Sequence, residues 1–165
     1  MILIGLGANL PHPVYGAPVD TLKAAIARVA EFAKVLRQSG WYRTAPVPIS
    51  DQPWFVNAVI AVETELFAAA LEQRLHEVEA AFGRVRREKW AARFLDLDLL
   101  DYNGEVTVNR DQAAGLVLPH PQIEARLFVL APLGEIAPEW RHPVSGRSAA
   151  EQIAKLGETQ IIERL

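Results

Sequence analysis

A chain of 165 residues, half of them hydrophobic, is long enough to bury a full core and is most simply one domain over 1–165. Its formal net charge of -3 argues against a general nucleic-acid binder, and no apolar run approaches the ~20 residues of a membrane span. The absence of cysteine excludes disulfides, thiolate zinc sites and cysteine nucleophiles together.

The apolar start Met1–Leu6 is too short for a signal h-region and lacks a basic n-region, so a cytoplasmic monomer is expected, with no membrane and no nucleic-acid partner. Ile2, Leu3, Ile4 and Leu6 mark a buried strand that ends in Gly5-Leu6-Gly7. This Gly-x-Gly is not a dinucleotide fingerprint, because Leu10 stands where a third glycine is needed. Asn9 to Pro18 holds three prolines and a glycine and reads as a loop. Asp20 or Thr21 can cap a helix whose apolar positions Leu22, Ala25, Ile26, Val29 and Phe32 keep the 3.6-residue period. Val35 to Arg43 reads as one strand, and Thr44 to Pro53, with Pro46, Pro48 and Pro53, as an irregular loop.

Phe55 to Glu63 is a second clear strand, interrupted by Asn57, which needs partners if buried and faces water if the strand lies at an edge. Ala68 to Phe82 reads as a helix with Leu71, Leu75, Val78 and Phe82 on one face, stopped by Gly83; by pattern alone Glu72, Glu77 and Glu79 belong to its solvated surface.

The stretch Arg84 to Leu100 joins two unlike halves. Arg84, Arg86, Arg87, Lys89 and Arg93 place five of the 17 Lys+Arg within ten residues. After them Asp96 and Asp98 share one face of a strand while Leu95, Leu97 and Leu99 share the other. The two carboxylates stand roughly 6.6 Å apart along that strand, at about 3.3 Å of rise per residue. Like charges so close repel unless a cation sits between them, and magnesium carries bound phosphates to such oxygens. Arginines would then grip the phosphates by charge-assisted bonds. The plain alternative is an edge strand with a solvated acidic face. Asn103-Gly104 then predicts a hairpin that turns the aspartate strand back on itself.

Leu118-Pro119-His120-Pro121 is a rigid loop presenting one histidine, of a type more often structural than functional. Ile123 to Leu133 predicts a helix carrying Arg126 and Phe128, bent or ended by Pro132. Ser148-Ala149-Ala150-Glu151 is a capping box for a last helix through Leu156, and Gln160 to Arg164 can add a strand. The order β-α-β-β-α-β, then helices, argues for an α+β protein with a ferredoxin-like core and a largely antiparallel sheet bearing helices on both faces.

With these elements placed, the chain resembles the 6-hydroxymethyl-7,8-dihydropterin pyrophosphokinase family of folate biosynthesis. The resemblance runs from Leu6 to about Glu139. It rests on Gly7-Ala8-Asn9-Leu10, Tyr42-Arg43-Thr44, Asp51-Gln52-Pro53 with Phe55 and Asn57, Arg93-x-x-Asp96-x-Asp98, Pro119-His120, Arg126 and Pro132-Leu133-x-Glu135. The resemblance implies that Asp96 and Asp98 bind two magnesium ions (Mg2+) and that Arg84 and Arg93 neutralise transition-state charge. It implies that Glu79, Arg86, Trp90, the Leu99 backbone, His120 and Arg126 line the site for the co-substrate ATP. Phe55 and Phe128 would sandwich the pterin, with Asn57 and the backbone around Thr44 and Val47 reading its polar edges. Departures are Ala45 for a usual proline, Ala91-Ala92 for Gly-Pro, Pro121 for an aromatic, Gly115-Leu116-Val117 before Pro-His, and a longer Pro11–Pro18 loop. Two other classes compete: another magnesium-dependent nucleotidyl or phosphoryl transferase, and a non-catalytic ferredoxin-like module that binds a small ligand or partner.

Overall fold

The computed structural model describes residues 1–83, 94–110 and 115–165. The strands are β1 (Ile2–Ala8), β2 (Lys34–Gln38), β3 (Tyr42–Thr44), β4 (Phe55–Glu63), β5 (Asp96–Tyr102) and β6 (Ile162–Arg164). The helices are α1 (Pro18–Val29), α2 (Ala68–Ala81), α3 (Leu127–Ile136) and α4 (Ala149–Leu156). The sheet runs β5-β1-β4-β3-β6, with β2 also paired to β4, and every pairing is antiparallel. Taking β2 and β3 as one interrupted strand gives the expected ferredoxin-like βαββαβ order.

Side-chain alternation divides the core in two. Ile4, Leu6, Val56, Ala58, Ile60, Leu95, Leu97 and Leu99 meet Leu22, Ala25 and Val29 of α1 and Leu71, Leu75 and Val78 of α2. On the other face Leu3, Val59, Ala61 and Leu100 meet Val129, Leu130 and Leu133 of α3, with Trp140 and Ala149. Each such leucine contributes about 1.5–3 kcal/mol by leaving water.

Several local expectations give way to tertiary context. α1 begins at Pro18, ahead of Asp20 and Thr21, because proline's fixed φ suits the first helical position; Thr21 is fully buried. The strand expected over Val35–Arg43 breaks at Ser39-Gly40-Trp41, where Ser39 Oγ accepts from Val59 N at 3.0 Å and the side chains of Arg164 and Glu135 press on Gly40. The Asn103-Gly104 turn forms, with φ of 53° and 76°, yet no return strand follows among the described residues. Instead Thr107 N donates to Leu118 O, and His120 N donates to Leu100 O at 2.8 Å along the free side of β5. The helix expected over Ile123–Leu133 splits into a 3-10 turn at Ile123–Ala125 and α3, which runs through Pro132 to Ile136. Glu79 is buried rather than solvated, and Asn57 lies on central strand β4 rather than at an edge. The Ser148–Glu151 capping box is present with both reciprocal bonds. No helix of the described residues is long and apolar enough to cross a membrane.

Candidate active site

The face of the sheet covered by α3 is covered over only part of its length. Along β1 that face reads Leu3, Gly5, Gly7. Leu3 is sealed beneath α3, whereas Gly5 and Gly7, with no side chains of their own, line a cleft. Gly7 pairs with Asp96 on one side and Asn57 on the other, and Gly5 pairs with Asp98. A Cβ at Gly7 would stand 2.8 Å from Asn57 Oδ1, so only glycine leaves room for that amide. The result is a cleft of about 350 Å³, floored by Gly5, Gly7, Asn57, Asp96 and Asp98. One wall is Thr44 to Pro48 with Gln52 and Phe55; the other is Arg126, Phe128 and Val129.

Its apolar end carries defined polar groups. Asn57 Nδ2 donates to Thr44 Oγ1 at 2.7 Å, tying two buried polar residues across β4 and β3. Asn9, also buried, donates through Nδ2 to Gln52 Oε1 at 3.2 Å and to Pro53 O at 3.0 Å, pinning the wall loop to the end of β1. A small planar heterocycle with hydrogen-bonding edges suits such a slot, where aromatic faces give area and fixed amides give orientation.

The other end is charged. Arg126 Nη1 stands 3.6 Å from Asp98 Oδ2, and its guanidinium lies 5.5 Å from the centre of the Phe128 ring. His120 Nε2 faces Asp98 Oδ1 at 4.0 Å. Burial, then the Arg126 charge, lowers the His120 pKa from 6.5 to about 4 despite the opposing pull of Asp96, so the ring is neutral at pH 7. Its Nδ1 accepts from Gln122 N at 3.1 Å, which leaves Nε2 to carry the proton toward the carboxylates.

The carboxylates pass a test for magnesium. They are hard oxygen donors on an open, half-buried floor, and the opposing strand positions are glycines without side chains. Among the described residues no group of three or more His, Asp and Glu is placed to hold a metal ion. The donor set therefore fits a cation that completes its shell from water and substrate phosphate better than one held in an all-protein cage.

Thr44, Val47, Phe55, Asn57, Asp96, Asp98, Arg126 and Phe128 all line one cleft, with His120 beside it. Two residues expected at the nucleotide site, Glu79 and the Leu99 backbone, are not among those lining this cleft. Glu79 is buried beside edge strand β5, where Oε1 accepts from Leu97 N at 2.7 Å, and Leu99 pairs with Ile4 with its side chain in the α1–α2 core. Arg84, Arg86, Trp90 and Arg93 lie outside the described residues. Sequence reading gave no role to Gly5 and Gly7; the signal was there, since both fall on the same strand face as Leu3.

The structure thus sets an antiparallel ferredoxin-like sheet under one cleft that is lined by two carboxylates, an arginine and two phenylalanines. The family model described as 7,8-dihydro-6-hydroxymethylpterin-pyrophosphokinase (HPPK) matches residues 3–138, and the chain belongs to that family. It is 38% identical over 161 residues to the 2-amino-4-hydroxy-6-hydroxymethyldihydropteridine pyrophosphokinase of Synechocystis sp., covering 96% of this chain and 77% of that protein. It is likewise 38% identical to the protein of the same name from Methylorubrum extorquens, covering 96% and 94%. Among solved structures, wild-type HPPK-DHPS of Plasmodium falciparum superposes with a TM-score of 0.70 at 13% identity, over 93% of this chain and 44% of that chain. That likeness supports the fold alone, and the chain spans less than half of that longer protein.

Proposed function

We propose that the chain is an ATP-dependent pyrophosphokinase that transfers diphosphate to 6-hydroxymethyl-7,8-dihydropterin, releasing AMP and supplying folate biosynthesis. The observation that carries this reading is the single cleft in which Phe55, Phe128 and the Asn57–Thr44 pair adjoin Asp96 and Asp98. The aromatic residues hold the pterin plane, and Asn57 with the backbone at Thr44 and Val47 reads its donor and acceptor edge. That orientation points the hydroxymethyl group toward the carboxylate end, where the triphosphate must lie. Its oxygen forms a bond to the β-phosphorus as the bond to the α,β-bridging oxygen breaks; AMP leaves and the hydroxyl proton passes to solvent.

Asp96 and Asp98 would hold the magnesium ions, two by the family pattern, and these would neutralise phosphate charge. His120 offers a neutral N–H to phosphate oxygens, and Arg126 offers a fixed positive charge. Family pattern adds Arg84 and Arg93 as cations that meet the transferring diphosphate, which needs positioning and charge neutralisation more than covalent chemistry. The test is AMP release from ATP with and without hydroxymethyl-dihydropterin, in the presence and absence of magnesium. Release that requires both pterin and magnesium is expected; AMP formation indifferent to the pterin would overturn the reading.

A further inference from the structure

Beyond the residues that the family model matches, the chain meets the backbone of both cleft walls at Gln160 and Ile161. Gln160 lies just before β6, and its side-chain amide grips the peptide groups on both sides of Arg126. Its Oε1 accepts from Leu127 N at 2.9 Å, and its Nε2 donates to Ala125 O at 2.8 Å. An amide that accepts from residue i+1 and donates to residue i−1 imitates a neighbouring strand, and so fixes the backbone of the residue between. That residue is Arg126, held at φ -118° and ψ 103°, extended between a 3-10 turn and the first residue of α3. Its own N–H reaches Ile123 O only at 3.3 Å, and no side chain of the helix itself caps α3. The capping bond to the helix start therefore comes from Gln160.

The residues that this grip orients both face the cleft: Arg126 toward Asp98, and Phe128 as one aromatic wall. The same segment holds the opposite wall. Ala45 N donates to Ile161 O at 3.2 Å, and β6 pairs with β3 through Thr44↔Ile162. Gln160 and Ile161, adjacent in sequence, thus touch the two walls in turn and set the gap between them. The segment is anchored away from the site by Arg164, whose guanidinium meets Glu135 at 3.0 Å, and by the Arg43–Glu163 ion pair at 2.8 Å.

We propose that Gln160 is a positioning residue for the heterocycle slot: by bracketing Arg126 it fixes the Phe128 wall at stacking distance from the wall that carries Thr44 and Phe55. The inference rests on the pterin reading given above for this cleft. Gln160→Met keeps the length and volume of the side chain but removes both hydrogen bonds. It should weaken binding of 6-hydroxymethylpterin about five- to tenfold, the effect of roughly one capping bond, and raise the KM for the dihydropterin by a similar factor. The rate at saturation should stay within about twofold, because no reacting atom meets Gln160.

Glu163→Ala, which removes an exposed ion pair of the same strand but leaves the bonds of Gln160 to residues 125 and 127 and of Ile161 to Ala45 in place, is the control and should leave the affinity unchanged. Calorimetric titration of wild type, Gln160→Met and Glu163→Ala with 6-hydroxymethylpterin, beside their melting curves, decides the matter. Unaltered affinity in Gln160→Met, or an equal loss in both variants, would reduce Gln160 to a structural tie and overturn the proposal. If wild type itself bound no pterin, the functional reading would fail first, and this inference with it.

Discussion

The two faces of the sheet are made from the same strands, yet one is sealed and the other opens. On the α1–α2 face the inward positions of β1, β4 and β5 are aliphatic except for Tyr102, and all of them are buried. On the α3–α4 face the aliphatic run ends at Leu3, Val59, Ala61 and Leu100, after which glycine, asparagine and aspartate take over. The β1–β4 register runs unbroken across that change while β5 shifts register at Leu100, so a sheet packed from behind presents the cleft in front. A floor built this way is held by its rear packing as well as by ties such as the Asn57–Thr44 bond.

Substitutions on the two faces of β5 should therefore fail in opposite ways, and the largest effect is expected on activity. Asp96→Ala or Asp98→Ala should lower turnover on the order of 10³-fold or more while leaving the melting temperature close to that of wild type. Near-normal turnover in either purified variant at millimolar magnesium would break the comparison. Leu97→Ala, between them in sequence but buried against the helices, should cost about 2–5 kcal/mol of stability with little change in rate per folded molecule. Denaturant titration read beside an active-site-normalised rate checks it; a stable but inactive Leu97 variant would show that the two faces are not independent.

Gly7→Ala probes the seam between the faces. The new Cβ meets Asn57 Oδ1 at 2.8 Å, so Asn57 must shift and its bond to Thr44 with it. A stability loss of about 1–3 kcal/mol is expected, with pterin affinity falling more than ATP affinity. Equal losses for both ligands, measured by calorimetry, would point to general disruption instead.

The last effect is spread over pH and touches neither core nor floor packing. His120 has its pKa lowered from 6.5 to about 4, so the unfolded chain takes up this proton at higher pH than the folded one. The stability due to its neutral form is fully present above pH 6.5 and is lost progressively as pH falls toward 4. Over that window one proton gives a slope approaching about 1.4 kcal/mol per pH unit. His120→Asn should flatten it in urea midpoints measured from pH 7 to 4; an unchanged slope would show that His120 is not the group responsible.

What the sequence determined by itself is whatever depends on near neighbours. Alternation along Phe55–Glu63 and Phe94–Leu100 placed each side chain on its face, so Asp96, Asp98 and Asn57 could be singled out before any partner strand was known. The Ser148–Glu151 box and Gly83, at φ +87°, marked helix ends because their bonds close within a few residues. The order of elements was enough for the ferredoxin-like core, since hand and connection rules leave few ways to pair them.

What only tertiary structure decided depends on groups far apart in the chain. Glu79 reads as surface until Leu97 N, 18 residues on, takes its carboxylate inside. The hairpin expected at Asn103-Gly104 closes its turn, but His120 N takes Leu100 O on the side of β5 that a return strand would need. The break at Gly40 answers to Glu135 and Arg164, 95 and 124 positions away, and no local propensity encodes them. Gln160 has no motif around it at all; its amide acquires meaning only because folding carries it to the two peptide groups that flank Arg126. Local rules fix which face a side chain takes, while the free energy of burying a distant partner fixes what that face meets.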